Sequence, residues 1–504
     1  MKTDCKIVVM PPMNVAMPSP GAESVRAAAL RDNMNCDIIY HNLRLVADNL
    51  IDENCSNFVQ TLPFICLYHR FVSKDTKAFE KAYSKLQSYR KETVDSVQEY
   101  IESLISNLYS LAIQIADTPI IAFSSKFHQW IASSVMAHLI KECNPAVRIY
   151  LGGQNTKAES EAMMVLCPDI DLFGWGEGEY PFCNMLSRAS DTDFQGNART
   201  ITRSQINPID DRADKYILFN ELMPLQIDEF LKTRGSSKGV IIPIERSRGC
   251  CWNRCSFCFL SQGYRFRIKK NEILLREIEY YIKKYGIYQF QFLDNDVVCG
   301  NLAEFDLLLD ELIKLRKKYP QLVFTMAEIS PSGMSSSIVK KLAIAGFYSI
   351  QIGLETLSQK VMLKFCKKQT LEENISFIRE AVKAGIKLVG LNIIINYPDE
   401  EIDDIKSNIK NLECLKDLIS DGSINIHMPS LMIARYSKYM KMVEDLHLEE
   451  SFTHNDYFQY IHNCNITGYN RFDVFQFSNP IIKNGNYWKI FYNKLISMCP
   501  NKIS

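Results

Sequence analysis

Several absences in this 504-residue chain narrow its possible functions before any motif is considered. It has no net charge, because 58 Lys and Arg balance 58 Asp and Glu. That removes the long-range field a polyphosphate binder exploits and argues against nucleic acid as a partner. No apolar run approaches the roughly 20 residues a membrane-spanning helix needs; the longest, such as residues 388–395, are strand-sized. No membrane partner is expected. The first residues show no basic region followed by a long apolar stretch and a small-residue cleavage site, so the expectation is a cytoplasmic protein. The 16 cysteines are scattered along the chain, which reads as reduced, mostly buried thiols rather than a disulfide framework. A second Cys-x2-Cys pair is also missing, and with it the usual four-ligand zinc pattern.

What is present is a globular composition, 47% apolar and 23% charged, on a chain long enough for two or three domains. The first third alternates short β-branched runs with helical stretches: strands at 6–10, 36–40, 119–123, 147–151 and 170–174, and a helix from about Ala22 to Asn33. A mostly helical insertion occupies 43–117. This rhythm predicts a Rossmann-like open parallel sheet over residues 1–188, and such sheets bind ligands beyond the carboxyl ends of their strands. Those ends carry Pro11-Pro12, Ser124-Ser125, Gly152-Gly153 and Gly176-Glu177. Each is a candidate ligand-facing turn, and each is equally readable as a plain strand-to-helix connection. Residues 189–238 are polar and turn-rich and read as a linker.

From 239 a second α/β rhythm supplies six strands, at 240–245, 288–293, 322–328, 348–355, 387–395 and 423–428. Parallel pairing is expected, as an open sheet or a curved (β/α)6 partial barrel over 239–438. Residues 439–504 lose the rhythm but are rich in aromatics, among them Phe452, Tyr457, Tyr460, Tyr469, Phe472, Phe475, Phe477, Trp488 and Phe491. They are expected to form a small packing cap.

The strongest chemical signal follows the first strand of the second rhythm. In RSRGCCWNRCSFC (246–258), Cys251-x3-Cys255-x2-Cys258 places three thiols on one strand-end loop. Three thiolates suit an iron–sulfur cube with one iron left open, and the open iron can take nitrogen and oxygen donors of a substrate or cofactor. The alternative is three buried thiols with no metal.

The motif, with Phe257 before its last Cys, resembles the signature of radical S-adenosylmethionine enzymes, whose catalytic domain is a (β/α)6 partial barrel. The resemblance implies a 4Fe–4S cluster on Cys251, Cys255 and Cys258. Because RGC ends at Cys250, that residue stands as the alternative to Cys251. It also implies S-adenosylmethionine contacts from Phe257, from Asp294 after the second strand, from Glu355 after the fourth, and from Asn396 in the turn after the fifth. Glu355 would accept hydrogen bonds from vicinal ribose hydroxyls, a task suited to a carboxylate. The Asp399–Glu401 run reads equally well as helix N-terminal charge. An external one-electron reductant of flavodoxin or ferredoxin type is implied as a partner.

The first domain resembles the cobalamin-binding domain of class B members of that family, on KIVVMPPMN, NLRLVADNL, the 120–155 stretch and GWGEGEYPF. This implies cobalamin contacts from Pro12, Ser124, Gly152, Gly153, Gly176 and Glu177. The Asp-x-His-x-x-Gly pattern of a histidine lower ligand is absent from this domain; His128 is a candidate ligand, although a lone His among apolar residues is more often packed. The subgroup most resembled matures ribosomally made peptides by C-methylation. The expected activity is therefore methyl transfer to an unactivated carbon of a peptide or small-molecule precursor. The alternatives are a non-methylating radical rearrangement or oxidation, or a radical enzyme whose first domain binds a partner instead of cobalamin.

Overall fold

The computed structural model describes residues 5–90, 94–187, 199–203, 216, 218–261, 263–434, 437–445, 447, 453–454, 458–461, 477–478 and 484–499. They divide into two units. The first runs to Lys238 and takes in the described residues of the His454–Phe475 segment; the second comprises Gly239–Thr453 and the described residues from Gln476 onward.

In the first unit, β1 (Cys5–Val9), β2 (Cys36–Tyr40), β3 (Ile120–Ser124), β4 (Arg148–Gln154) and β5 (Leu172–Trp175) pair in parallel in the order β2-β1-β3-β4-β5. Val8, Val9, Ile121, Phe123 and Phe173 are buried, so both faces need a cover of helices. Helix α1 (Pro20–Arg31) supplies part of that cover. It starts two residues earlier than its apolar pattern suggests because Ser19 caps it, the Ser19 Oγ accepting from the Ala22 N–H at 3.4 Å, and Pro20 fits the first turn. The insertion is helical throughout its main body: α2 (His41–Ala47), α3 (Asn57–Leu67), α4 (Thr76–Arg90) and α5 (Val94–Ile115).

Two sequence expectations need correction here. The stretch expected to be a linker contributes β6 (Thr200–Thr202), antiparallel to β5, and a helix at Asp228–Arg234 whose Phe230 packs edge-on against Tyr40 at 5.1 Å. A three-residue strand in polar surroundings has too few positions to show alternation, which is why its pattern was silent. The expected cap is likewise divided, because Tyr460 belongs with the helical insertion. Its carbonyl bonds His69 Nε2 at 2.7 Å and its ring lies 5.8 Å from that of Phe58. Trp488 and Phe491, on the helix Gly485–Met498 of the second unit, are buried against each other. The side chains of Phe452, Tyr457, Tyr469, Phe472, Phe475 and Phe477 lie outside the described residues.

The second unit contains β7 (Ile242–Ile244), β8 (Ser247–Arg248), β9 (Arg267–Ile268), β10 (Gln289–Phe292), β11 (Val323–Met326), β12 (Glu328–Ile329), β13 (Ser349–Glu355), β14 (Leu388–Ile393) and β15 (Ile424–His427). All the long pairings are parallel, in the orders β7-β10-β11 and β12-β13-β14-β15. The third strand is broken at Ala327, but the Phe324–Phe347 bridge and the bond from the Gln351 N–H to the Ala327 carbonyl (2.9 Å) carry the sheet across the break. Six strand positions in chain order, with no pairing among the described residues that closes β15 onto β7, make an open (β/α)6 partial barrel. Phe292, Phe324 and Phe347, with centroids 4.9–5.8 Å apart, knit its second, third and fourth strand positions. Among the described residues no helix is long and apolar enough to cross a membrane.

One buried charge makes the stability of the first unit depend on pH. Glu23 on α1 is fully buried, accepts from Tyr40 Oη at 2.7 Å, and is pushed by burial from 4.5 up to about 7. The native state therefore keeps this proton where the unfolded chain has released it. Its contribution is full below about pH 4.5 and is lost as pH rises through 7. Glu23→Gln is expected to flatten this slope by on the order of 1–3 kcal/mol between pH 5 and 8, read by thermal unfolding; parallel pH profiles for variant and parent would refute the assignment.

Candidate cluster and cofactor sites

The cysteine loop leaves the barrel at the carboxyl end of β7, and a buried carboxylate on the neighbouring strand fixes its departure. Asp294, just past β10, accepts from the backbone N–H of Arg246 at 3.0 Å, from the backbone N–H of Ser247, and from Ser247 Oγ at 2.7 Å. Burial pushes this carboxyl up to about 6. Asp294 was expected near the methionyl part of S-adenosylmethionine; the structure instead commits both its oxygens to the connection between β7 and β8. Beyond it Gly249 turns the chain at φ 78°, where a Cβ would stand 3.1 Å from the Phe266 backbone. Between the cysteines, Trp252 Nε1 donates to the Cys366 carbonyl at 2.9 Å and the Ser256 N–H to the Phe365 carbonyl at 3.1 Å. The loop is thus held at its start and between its thiols.

Within it, Cys255 and Cys258 are half-buried and act electrostatically on each other, and Cys250 acts on both. Burial pushes Cys255 up to about 11. Cys251 is exposed; it hydrogen-bonds to Cys250, lowering that thiol, and its Sγ lies 3.9 Å from Asp296 Oδ2. Three thiols on one loop, each able to give one thiolate to one iron, are the donor set that an iron–sulfur cube with an open iron would take.

Charged groups surround these thiols. Glu355 ends β13 at φ 63°, a conformation rare outside glycine, and its carboxylate lies 3.6 Å from Lys367 Nζ. Burial raises Glu355 and Lys367 opposes the shift. Lys367 also sits 5.8 Å above the Phe257 ring, which meets Phe365 edge-on at 5.2 Å. Glu328, on β12, is pushed up to about 7 by burial, with Glu355 adding to the effect. Sequence reasoning missed Lys367 and Glu328, since neither belongs to a spaced motif. Asn396, at φ 59°, donates from its side chain to Ser430 Oγ at 3.1 Å, and its Oδ1 is buried without a partner among the described residues. Glu401 and Asp404 form a capping box on the following helix, and Asp399 accepts from Tyr439 Oη at 2.9 Å. Those acidic residues hold structure.

In the first unit, the chain moves from β1 outward to β2 and returns to place β3 on the other side of β1, which puts the topological switch between β1 and β3. At the carboxyl ends lie the cis Pro11-Pro12 pair, Ser124, Gly152-Gly153 and Gly176-Glu177, as expected from the strand pattern. Gly153 (φ 110°) is indispensable there, because a Cβ would stand 2.0 Å from the Ser125 carbonyl oxygen. Ser125 Oγ and Gln154 Oε1 are buried and lack hydrogen-bond partners among the described residues. Polar atoms left open beyond strand ends fit an amide-bearing cofactor such as cobalamin. His128 is held neutral, burial lowering it to about 4.

Comparison with known proteins agrees with this geometry. Residues 244–409 match the Radical SAM superfamily, so the barrel is a radical S-adenosylmethionine domain. Over 99% of this chain and 91% of the other, the structure superposes with a TM-score of 0.66 and 12% identity on the radical S-adenosylmethionine methyltransferase TsrM of Kitasatospora setae, solved with cobalamin and a 4Fe–4S cluster. It superposes equally well, at 15% identity over 98% of this chain and 66% of the other, on the cobalamin-dependent S-adenosylmethionine radical enzyme OxsB, solved with aqua-cobalamin and S-adenosylmethionine. At such identities the likeness concerns the fold. In sequence, the chain is 25% identical to an uncharacterized methyltransferase of Pyrococcus horikoshii over 55% of its own length, and 22% identical to 4'-phospho-dehydrooxetanocin synthase of Priestia megaterium over 75%. It spans 60% and 52% of the lengths of these two curated relatives.

Removing the Asp294 carboxylate is expected to strand three buried donors. Asp294→Ala should cost about 2–4 kcal/mol in denaturant unfolding, and Asp294→Asn, which keeps one acceptor, about half as much. Equal stability of all three proteins would show that the loop is anchored elsewhere.

Proposed function

We propose that this chain is a cobalamin-dependent radical S-adenosylmethionine enzyme that methylates an unactivated carbon of a small molecule or peptide. The observation that carries the reading is the three-thiol loop at the mouth of a six-strand partial barrel, in a chain that also holds a Rossmann-like sheet with its carboxyl edge left polar. When bound, the cluster and S-adenosylmethionine together supply a reactive adenosyl radical, and cobalamin supplies a transferable methyl group.

The residues divide these tasks. Cys255 and Cys258 hold the cluster with Cys251, whose three-residue spacing to Cys255 points to it, and Cys250 stands as the alternative. Glu355 accepts from the ribose hydroxyls, Lys367 opposing the rise that burial imposes on its carboxyl. Phe257 and Asn396 flank the same ligand. Asp294 positions the loop and touches no cofactor. In the first unit Pro12, Ser124, Gly152, Gly153, Gly176 and Glu177 line the cobalamin face, where backbone without bulky side chains permits close approach.

A small-molecule acceptor has support in the TsrM structure solved with a tryptophan substrate. A second reading, radical rearrangement without methyl transfer, is favoured by the relative named as a dehydrooxetanocin synthase. An external flavodoxin- or ferredoxin-type reductant completes either scheme.

Anaerobic reconstitution with iron and sulfide, followed by assay of 5'-deoxyadenosine with and without hydroxocobalamin, tests the proposal. Cys255→Ala and Cys258→Ala should lose the cluster's visible absorbance and cut deoxyadenosine formation at least 100-fold, a barrier increase of roughly 3 kcal/mol. Cys251→Ala should behave like them while Cys250→Ala keeps its cluster; the opposite pair of results moves the ligand role to Cys250. A product without the added mass of one CH2 would sink methyl transfer in favour of rearrangement.

A further inference from the structure

At the carboxyl end of β2 the first unit buries two polar side chains that no described residue satisfies. His41 and Asn42 follow the strand directly, each 2% exposed. Both imidazole nitrogens of His41 and both amide atoms of Asn42 lack hydrogen-bond partners among the described residues. An unmade hydrogen bond in a protein interior is destabilising, so four such atoms in consecutive residues are a standing cost that apolar side chains of similar size would avoid. The same edge carries the open Ser125 Oγ beyond β3 and the open Gln154 Oε1 at the end of β4. The end of β1 differs, because the Met10 carbonyl already accepts from Gln129 Nε2 at 3.0 Å.

The chemistry of the pair restricts its ligand. Burial, helped by Arg44, lowers His41 to about 3, so the ring is neutral and offers one N–H donor and one nitrogen acceptor. Asn42 likewise offers both kinds of group. An anion would call for donors alone and a cation for acceptors alone. A primary carboxamide, which donates and accepts from one planar group, matches both side chains.

We propose that His41 and Asn42 form a subsite for a primary carboxamide of the ligand bound at this sheet edge. The inference rests on the cobalamin reading above, since the rim of a corrin ring is fringed with acetamide and propionamide groups. His41 binds the rim and does not ligate cobalt.

Titration of the full-length protein with hydroxocobalamin, followed by the corrin absorption of the protein fraction, tests this. His41→Leu and Asn42→Leu should each weaken uptake by about tenfold, while His41→Gln, which keeps a donor and an acceptor, stays within about threefold of the parent. The cobalamin-free leucine variants should melt no lower than the parent, because each removes unmet polar atoms; a lower melting temperature would show that the pair serves the fold. Cobinamide, which keeps the rim amides and lacks the nucleotide tail, should suffer the same loss, and an undiminished cobinamide affinity would overturn the rim assignment. So would nitrogen splitting in the cob(II)alamin electron paramagnetic resonance spectrum that vanishes in His41→Leu. Equal uptake by parent and variants defeats the subsite alone, whereas a parent that takes up no cobalamin defeats the reading beneath it.

Discussion

The chemistry assigned to the second unit depends on one buried carboxylate gripping the start of one loop. Asp294 lies beside β7 because β10 pairs in parallel with it, Phe292 opposite Ile244, so the residue two beyond β10 arrives level with the first residues of the cysteine loop. From there it takes both backbone N–H groups of Arg246 and Ser247. A loop that had to satisfy those donors with water could sample many exits from the sheet. Fixed by Asp294, turned by Gly249 and tied between its cysteines to Phe365 and Cys366, it presents its thiols on one anchored segment. Arg246 adds to this frame from within. Its side chain is fully buried, bonded to the Val297 carbonyl and 5.5 Å from the Phe305 ring, so the chain behind the cysteines is packed as tightly as the barrel core.

The mouth of the barrel also concentrates backbone strain. Asn253, Cys299, Glu355 and Asn396 have positive φ and lie on the cysteine loop or at and beyond the ends of strands, and Cys366, also positive, follows the helix Gln359–Lys364. A non-glycine residue held there costs on the order of 1–3 kcal/mol and persists only where its surroundings over-determine it. Glu355 shows how this is done. The pairing of β13 with β14 shifts register between Ile352 and Glu355, the Ile394 N–H donates to the Glu355 carbonyl at 2.9 Å, and Lys367 draws the carboxylate to one side. Strain is accepted where it aims a functional group.

The fold was legible in the sequence wherever apolar periodicity ran for five or more residues. CDIIY and SIQIGLE announce β2 and β13 without help, since strands buried on both faces need continuous apolar character. TIT at 200–202 does not, because its pairing with β5 is chosen by tertiary packing. Among the residues proposed for the site, the cysteines and Glu355 stand out in the sequence by motif and position, and the structure puts the thiols on one loop and Glu355 at the end of β13. Asp294 was legible as a strand-end carboxylate but not in its role, because sequence cannot say which neighbour a buried acid will bond. Lys367 was invisible: it stands twelve residues beyond Glu355, across the short helix Gln359–Lys364, and only the return of the chain brings the two charges together. His41 and Asn42 were hidden for a different reason, since a polar residue left without partners cannot be told from a satisfied one until the packing around it is known.

The two candidate sites differ in kind, and the difference follows from how each handles buried polarity. In the barrel, buried charges answer each other: Lys367 faces Glu355, and the acids at Glu328 and Asp296 are raised by burial, which lowers the cost of holding several carboxyls near thiols. Such a site suits a ligand that carries charges of both signs, because each incoming charge finds an opposite one already desolvated. At the sheet edge of the first unit the groups without partners among the described residues are neutral, an imidazole, an amide, a hydroxyl and a second amide, and the buried Glu177 of the same edge is not one of them. Neutral donors and acceptors gain little from a charged ligand once its own desolvation is counted, but they pair well with amides that lose little on leaving water. The two candidate sites thus differ in what they offer a ligand, paired charges in the barrel and open neutral hydrogen-bonding groups at the sheet edge.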